Sequence, residues 1–135
     1  MVRLAVEASP EFDVSDIEAS GAGPHYSFDT LSLLADQRPA DVLHFIMGSD
    51  SLLELPGWRD PDDLVRRFPL VVLPRPGFDV SKASPSYLSN AVIVSGISVA
   101  ISSTLVRKRL LEGISVRYLI PGPVLDYVRR NGLYR

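Results

Sequence analysis

One segment of the sequence combines three consecutive hydroxyl side chains with an arginine. Ser102, Ser103 and Thr104 precede a predicted helix. Arg107 follows one helical turn later. At such a helix start, free backbone amides, the positive end of the helix dipole, the hydroxyls and the guanidinium would converge on an anion. The three hydroxyls could instead serve only as alternative caps of the helix. Capping, however, does not account for an arginine that is directed back toward the helix start. The pattern therefore predicts a phosphate-binding site.

Polar residues also follow two apolar runs that are typical of buried strands. Gly48 ends the first run and lets a ligand or backbone approach closely. Asp50 comes next and could accept hydrogen bonds from a ribose or an amino group. Arg75 follows the second run between two prolines, and such a stiff loop suits phosphate recognition. From these residues alone, a capping role for Asp50 is as well supported as ligand binding. A plain surface position for Arg75 is likewise as well supported as phosphate binding.

The single tryptophan and the two histidines are weaker candidates. Trp58 lies in a loop beside Pro56 and Gly57. A loop tryptophan more often fills the edge of a core, but its indole could also stack on an aromatic ring, including a cationic pyridinium. His44 interrupts an apolar run and is expected to be a core histidine. His25 has no cysteine, histidine or carboxylate partner at ligand spacing, so we predict no metal site.

The elements that must position these residues are strands alternating with helices. Apolar runs at 42–47, 70–73 and 91–94 predict strands buried on both faces of a sheet, with helices between and after them. Residues 12–14 predict a further short strand. This alternation predicts an α/β fold with a mostly parallel, Rossmann-like sheet, in a single domain over 1–135. Such sheets bind ligands outside the carboxyl ends of their strands, where the candidate residues come.

Composition excludes several classes of function. The 135 residues carry a net charge of −2, whereas bulk nucleic-acid binding needs a surplus of lysine and arginine. No apolar run is long enough to span a bilayer and no basic leader precedes one, so neither a membrane nor a secreted protein is expected. The absence of cysteine excludes disulfides and thiolate chemistry, and it is typical of a cytoplasmic protein.

Five blocks of residues occur in a characteristic order. They are His25–Leu31, Phe45–Leu52 leading to Trp58, Pro74–Gly77, Ile101–Arg107 and Tyr118–Tyr134. Together they resemble the bacterial nicotinate-mononucleotide adenylyltransferases of the nucleotidylyltransferase superfamily, from Phe12 to the last residue. The block that contains the three hydroxyls is shared with other adenylyltransferases, such as the phosphopantetheine enzymes. The first two blocks narrow the resemblance to the pyridine nucleotide branch.

The resemblance implies roles for the residues that match the family's motifs. Trp58 would stack on the pyridine ring of the mononucleotide. Tyr26 and Ser27, the latter often threonine in the family, would lie near the ring carboxylate. Gly48 and Asp50 would line the nucleotide cleft. The residues that would hold the ATP phosphates are Ser102, Ser103, Thr104 and Arg107, with Arg75 as a further contact. No catalytic residue is identified.

The resemblance also implies the reaction. The phosphate of nicotinate mononucleotide would attack the α-phosphorus of ATP, giving the deamido dinucleotide and pyrophosphate in NAD biosynthesis, with Mg²⁺ carried by the ATP phosphates. The alternatives are another acceptor, such as phosphopantetheine or flavin mononucleotide, and a non-catalytic fragment that binds pyridine nucleotides.

One departure from the family's pattern changes these expectations. Family members begin with a strand, a glycine-rich loop and a His-x-Gly-His segment, and no residues of this sequence correspond to them. We therefore expect the N-terminal strands of the sheet to be missing and one apolar sheet edge to be exposed. Such an edge could pair with a second copy in a homo-oligomer, although the sequence does not determine the oligomeric state. We also expect this chain to be inactive or poorly folded on its own.

Overall fold

The computed structural model describes residues 1–19, 21, 23–96 and 100–135. The chain forms two compact units. Unit 1 comprises Met1–Asp16 and Ala100–Arg135, and unit 2 comprises Ile17–Val99. Each unit carries part of the predicted site. The single domain predicted over 1–135 stays a prediction.

The sheet of unit 2 has three parallel strands in the order β1-β2-β3. Their bounds are Phe45–Gly48 for β1, Leu70–Leu73 for β2 and Ala91–Ile93 for β3. Phe45 lies opposite Leu70, and Leu70 lies opposite Ala91. Aliphatic and aromatic side chains suit such a pleated, partly buried surface. The predicted α/β fold with a parallel sheet is confirmed.

The helices of unit 2 precede the sheet or connect its strands. The α-helices are α2 (Ser27–Gln37), α3 (Ser49–Glu54), α4 (Pro61–Arg67) and α5 (Pro85–Leu88). Two short 3-10 helices cover Leu55–Gly57 and Val80–Lys82. In α4, proline occupies the first position and two aspartates lie in the first turn, where they face the positive end of the helix dipole. The local sequence therefore determines where α4 begins.

The core of unit 2 lies on one face of the sheet. Met47, Leu70 and Val72 are buried there, and the helices cover them with side chains such as Leu52 and Leu64, which have no exposed surface. Residues between these positions point to the opposite face because side chains alternate along a strand. Ile46 is 65% exposed and Val92 61% exposed. The prediction that the strands are buried on both faces is therefore wrong.

Three local predictions also differ from the structure. Residues 12–14 form no strand. Strand β1 begins at Phe45, so residues 42–44 of the first apolar run precede it. His44 is exposed, with Nδ1 3.3 Å from the carbonyl oxygen of Val42, and is not a core residue. An apolar run indicates burial, but the sheet pairing decides how much of the run becomes a strand.

Unit 1 is helical. Its helices are α1 (Val2–Val6), α6 (Ser103–Leu111) and α7 (Gly122–Arg130), and α1 packs against α7. A small core contains Val106, Val116 and Leu125. In the part of the chain that the structure describes, no helix is long and apolar enough to cross a membrane.

A pair of leucine substitutions tests the position of the core. Leu64 has no exposed surface, whereas Leu33 on helix α2 is 53% exposed. Leu64→Ala should lower the free energy of unfolding by about 2–5 kcal/mol, because it removes buried methyl groups and leaves a cavity. The control Leu33→Ala should change it by less than about 0.5 kcal/mol. Urea unfolding measures both, and equal losses would contradict the described core.

Candidate functional site

An ion pair joins the ends of β1 and β2. Arg75 Nη1 donates a hydrogen bond to Asp50 Oδ2 at 2.5 Å. The Arg75 backbone N–H also donates to Ser49 Oγ at 2.8 Å, and Ser49 is fully buried. In a parallel sheet the carboxyl ends of neighbouring strands meet at the same edge. The structure therefore brings together two residues that the sequence analysis treated separately.

The two oxygens of the Asp50 carboxylate have different surroundings. Oδ2 binds Arg75, whereas Oδ1 is buried and has no hydrogen-bond partner among the described residues. Burial by itself would raise the pKa of Asp50. The hydrogen bond from Arg75 and the nearby amides of Ser51 and Asp50 itself outweigh burial, so the pKa lies below its ordinary value. Asp50 is therefore ionised at neutral pH and paired with Arg75.

Gly48 leaves the space that this carboxylate occupies. A methyl group at residue 48 would overlap Asp50 Oδ1 and lie 3.0 Å from Arg75 Cδ. The backbone angles of Gly48, φ −81° and ψ 160°, are open to any residue. Gly48 therefore leaves room for the side chains of Asp50 and Arg75, and its backbone angles do not require glycine. The close approach of a ligand or backbone stays a prediction.

Trp58 lines a second feature of unit 2, a cleft of about 300 Å³. Tyr26, Ser27 and His25 line it from one side, and Gly57 and Arg59 come from the loop of Trp58. The indole is half-buried and meets the ring of Phe45 edge to face, with 6.1 Å between the ring centroids. Trp58 thus fills the edge of the core and also lines a cleft, so both of its expected roles are compatible with its position.

Arg59 is a cleft residue that the sequence analysis missed. Its guanidinium carbon lies 4.6 Å from the centroid of the Tyr26 ring. It also forms ion pairs with Asp29 at 3.6 Å and Asp60 at 3.4 Å. Asp60 has a positive φ of 49°, and its side chain pairs with Arg59 instead of capping α4. No local sequence pattern links Arg59 with Tyr26, because only the fold brings the two residues together.

The hydroxyl segment in unit 1 adopts the predicted helix start. Ser102 is the N-cap of α6, and its Oγ accepts a hydrogen bond from the backbone N–H of Leu105 at 3.1 Å. Arg107 Nη2 donates to Thr104 Oγ1 at 3.4 Å, so the arginine is directed back toward the helix start. Ser102, Ser103 and Arg107 line one cavity of about 260 Å³ whose remaining walls are mainly apolar.

The candidate residues therefore fall into three groups. Gly48, Asp50 and Arg75 meet at the sheet edge, and Tyr26, Ser27 and Trp58 share the cleft of unit 2. The four residues of the helix α6 start form the third group, in unit 1. Among the residues described, no group of three or more histidine, aspartate or glutamate side chains is placed to hold a metal ion. The binding roles of all three groups stay predictions.

Comparison with known proteins places the chain in a family. A model of the cytidylyltransferase-like family matches residues 1–109. A protein of Carboxydothermus hydrogenoformans named as a probable nicotinate-nucleotide adenylyltransferase is 39% identical over 142 residues, which cover 100% of this chain and 71% of that protein. The chain belongs to the nicotinate-nucleotide adenylyltransferase family. The Bacillus subtilis member is 37% identical over 134 residues, covering 99% of this chain and 68% of its own length.

Solved structures show the same fold. The nicotinic acid mononucleotide adenylyltransferase of Plasmodium falciparum, in a complex with NaAD, superposes with a TM-score of 0.76 at 21% identity. The superposition covers 99% of this chain and 71% of that chain. The Rossmann-like nucleotidylyltransferase fold that the sequence analysis expected is thereby confirmed.

The Asp50 carboxylate should make stability depend on pH. Its pKa is lower in the folded chain than in the unfolded chain, so its contribution is present at neutral pH and is lost as the pH falls through the folded value. Asp50→Asn should therefore lower the melting temperature at pH 7, and the difference from wild type should shrink below about pH 4.

A surface aspartate provides the control for this measurement. Asp36 pairs with Arg67, but its side chain is 73% exposed. Asp36→Asn should change the melting temperature little at either pH, because exposed ion pairs contribute little. A difference for Asp50→Asn that stays constant from pH 7 to pH 3 would contradict the ionised, paired carboxylate.

Proposed function

We propose that this protein transfers the adenylyl group of ATP to nicotinate mononucleotide, forming the deamido dinucleotide and pyrophosphate in NAD biosynthesis. The observation that carries the proposal is the half-buried indole of Trp58 in the cleft with Tyr26 and Ser27, in a chain whose relatives are named for this activity. The cytoplasm, where both nucleotide substrates occur, is the location that we propose.

The cleft of unit 2 would hold the pyridine ring. Trp58 offers a flat aromatic face for stacking, and its indole packs edge to face with the ring of Phe45. Ser27 is the first residue of α2, where unpaired backbone amides and the positive end of the dipole favour a carboxylate. Tyr26, held by Arg59, would close the side of the cleft beside the ring carboxylate.

The start of α6 would hold the phosphates of ATP. Helix α6 has nine residues, its first amides point toward the capping end, and the hydroxyls and Arg107 add donors at that end. Arg75 is a less direct candidate for the same role, because its guanidinium pairs with Asp50. These groups would stabilise the negative charge that builds on the departing pyrophosphate.

The chemistry would depend on positioning. A phosphate oxygen of nicotinate mononucleotide forms a bond to the α-phosphorus of ATP, and the bond from that phosphorus to the bridging oxygen of the β-phosphate breaks. Holding both phosphates in line supplies much of the rate enhancement in such transfers. Mg²⁺ would enter as part of the magnesium–ATP substrate, with phosphate and water oxygens as its ligands.

Substitution of Trp58 tests the proposed function. Calorimetric titration with nicotinate mononucleotide should show saturable binding. Trp58→Ala should weaken this binding about fivefold to 150-fold, because base stacking contributes about 1–3 kcal/mol. Trp58→Phe keeps an aromatic face and should weaken it only a few-fold.

A third variant separates stacking from support of the core. Phe45→Leu removes the aromatic neighbour of Trp58 but leaves the indole in place. It should lower the melting temperature while leaving the affinity for nicotinate mononucleotide within a few-fold of wild type. Equal affinities for wild type and Trp58→Ala, in chains that circular dichroism shows to be folded, would contradict the pyridine site.

A further inference from the structure

We propose that Arg59 is a positioning residue that acts through Trp58: it holds the loop of Trp58 against the start of helix α2, so that the indole face is in place before a ligand enters the cleft. This inference rests on the proposed function and gives a role to a residue for which the resemblance implied none. It is carried by the contacts that Arg59 makes between the two segments that line the cleft.

These two segments of unit 2 are distant in the sequence. One comprises residues 25–27 and leads into α2, and the other comprises residues 57–59 in the loop of Trp58. Phe45 contacts the indole, but Phe45 belongs to the sheet and does not connect the loop to α2. A surface loop takes its position from the side-chain contacts that it makes with more rigid elements. The place of Trp58 relative to α2 therefore depends on contacts between the two segments.

Arg59 supplies two such contacts. Its guanidinium carbon lies 4.6 Å from the centroid of the Tyr26 ring, and Nη1 lies 3.6 Å from Oδ2 of Asp29 in the first turn of α2. A planar guanidinium can cover an aromatic ring with its face while its edges pair with carboxylates. Each contact of such a half-exposed side chain is weak by itself. Together they join the loop of Trp58 to one helix start from a single side chain.

Asp60 fixes Arg59 from its own side of the cleft. Nε of Arg59 lies 3.4 Å from Oδ2 of Asp60. Asp60 is the N-cap residue of α4, where an aspartate side chain usually accepts a hydrogen bond from the helix, but it makes no such bond here. Its φ of 49° is uncommon for a residue other than glycine. The Asp60 side chain therefore orients Arg59 instead of capping the helix.

The charges around Arg59 favour positioning over direct binding of the ring carboxylate. One positive charge faces two carboxylates, those of Asp29 and Asp60. The three side chains together therefore offer little net attraction to a further carboxylate. An arginine compensated in this way is better placed to hold the loop than to bind an anion.

The fluorescence of the unliganded full chain tests the proposal. Trp58 is the only tryptophan, so its emission reports on this loop. Arg59→Gln should increase quenching by acrylamide and shift the emission maximum to longer wavelength, because a released loop exposes the indole to water. Asp29→Asn should change both in the same direction, because it removes the anchor on α2. The control is Arg66→Gln, since Arg66 pairs with Asp63 within α4, and it should change neither.

A double-mutant cycle separates positioning from direct contact with the ligand. The affinity for nicotinate mononucleotide is measured by calorimetry for wild type, Arg59→Gln, Trp58→Ala and the double variant. Arg59→Gln should weaken binding about threefold to tenfold when Trp58 is present. In the Trp58→Ala chain it should weaken binding by less than about twofold, because the side chain through which Arg59 acts is gone.

The outcomes are distinct. Equal quenching in wild type and Arg59→Gln, in chains with the same circular dichroism spectrum, would overturn the positioning role. Losses that multiply in the double variant would also overturn it and assign Arg59 to the ligand. A folded wild-type chain that does not bind nicotinate mononucleotide would contradict the proposed function. In that case the quenching of the unliganded chain would still decide whether Arg59 holds the loop.

Discussion

Parallel pairing of β1 with β2 is the constraint on which the polar edge of unit 2 depends. Gly48 lies opposite Leu73 in the register, so the residues that follow both strands emerge at the same edge of the sheet. A shift of the register by one residue would turn every side chain of a strand to the other face. It would also separate Arg75 from Ser49 and Asp50. The buried side chains of Met47, Leu70 and Val72 hold the register, and the register places the ion pair.

Charged side chains lie near the core of unit 2, where ion pairs between arginine and aspartate compensate their charges. Asp50 is partly buried, which raises its pKa, but the hydrogen bond and charge of Arg75 and the backbone amides of Ser51 and Asp50 outweigh burial, so the pKa lies below its ordinary value. Arg59 is compensated twice, by Asp29 and Asp60, and its guanidinium also covers the ring of Tyr26. In both cases an arginine joins two elements that are distant in the sequence. The pair of Arg59 with Tyr26 also lines the cleft of Trp58.

The features around Trp58 and around the start of α6 differ in how they could recognise a ligand. The first offers aromatic surface and backbone amides, and the second offers hydroxyls, amides and a guanidinium beside an apolar cavity. A pyridine ring requires the former and a chain of phosphates requires the latter. Each feature, taken by itself, offers the groups that the role proposed for it would use.

Much of this protein follows from local pattern. The run at 70–73 matched its strand, and the run predicted at 91–94 formed a strand over 91–93. The start of α4 at Pro61 and the capped start of α6 also follow from local sequence, because apolar periodicity and capping chemistry act within a few residues. The family was also readable, since its motifs are short and contiguous.

Tertiary structure decided the rest. It determined that one sheet face would be exposed at Ile46 and Val92, that residues 12–14 would form no strand, and that Arg75 would pair with Asp50. It also brought Arg59 to Tyr26. These outcomes depend on which distant segments meet across the sheet and the loops. Local sequence determines what each segment can form, but only the packing of the segments against each other determines which polar groups become partners.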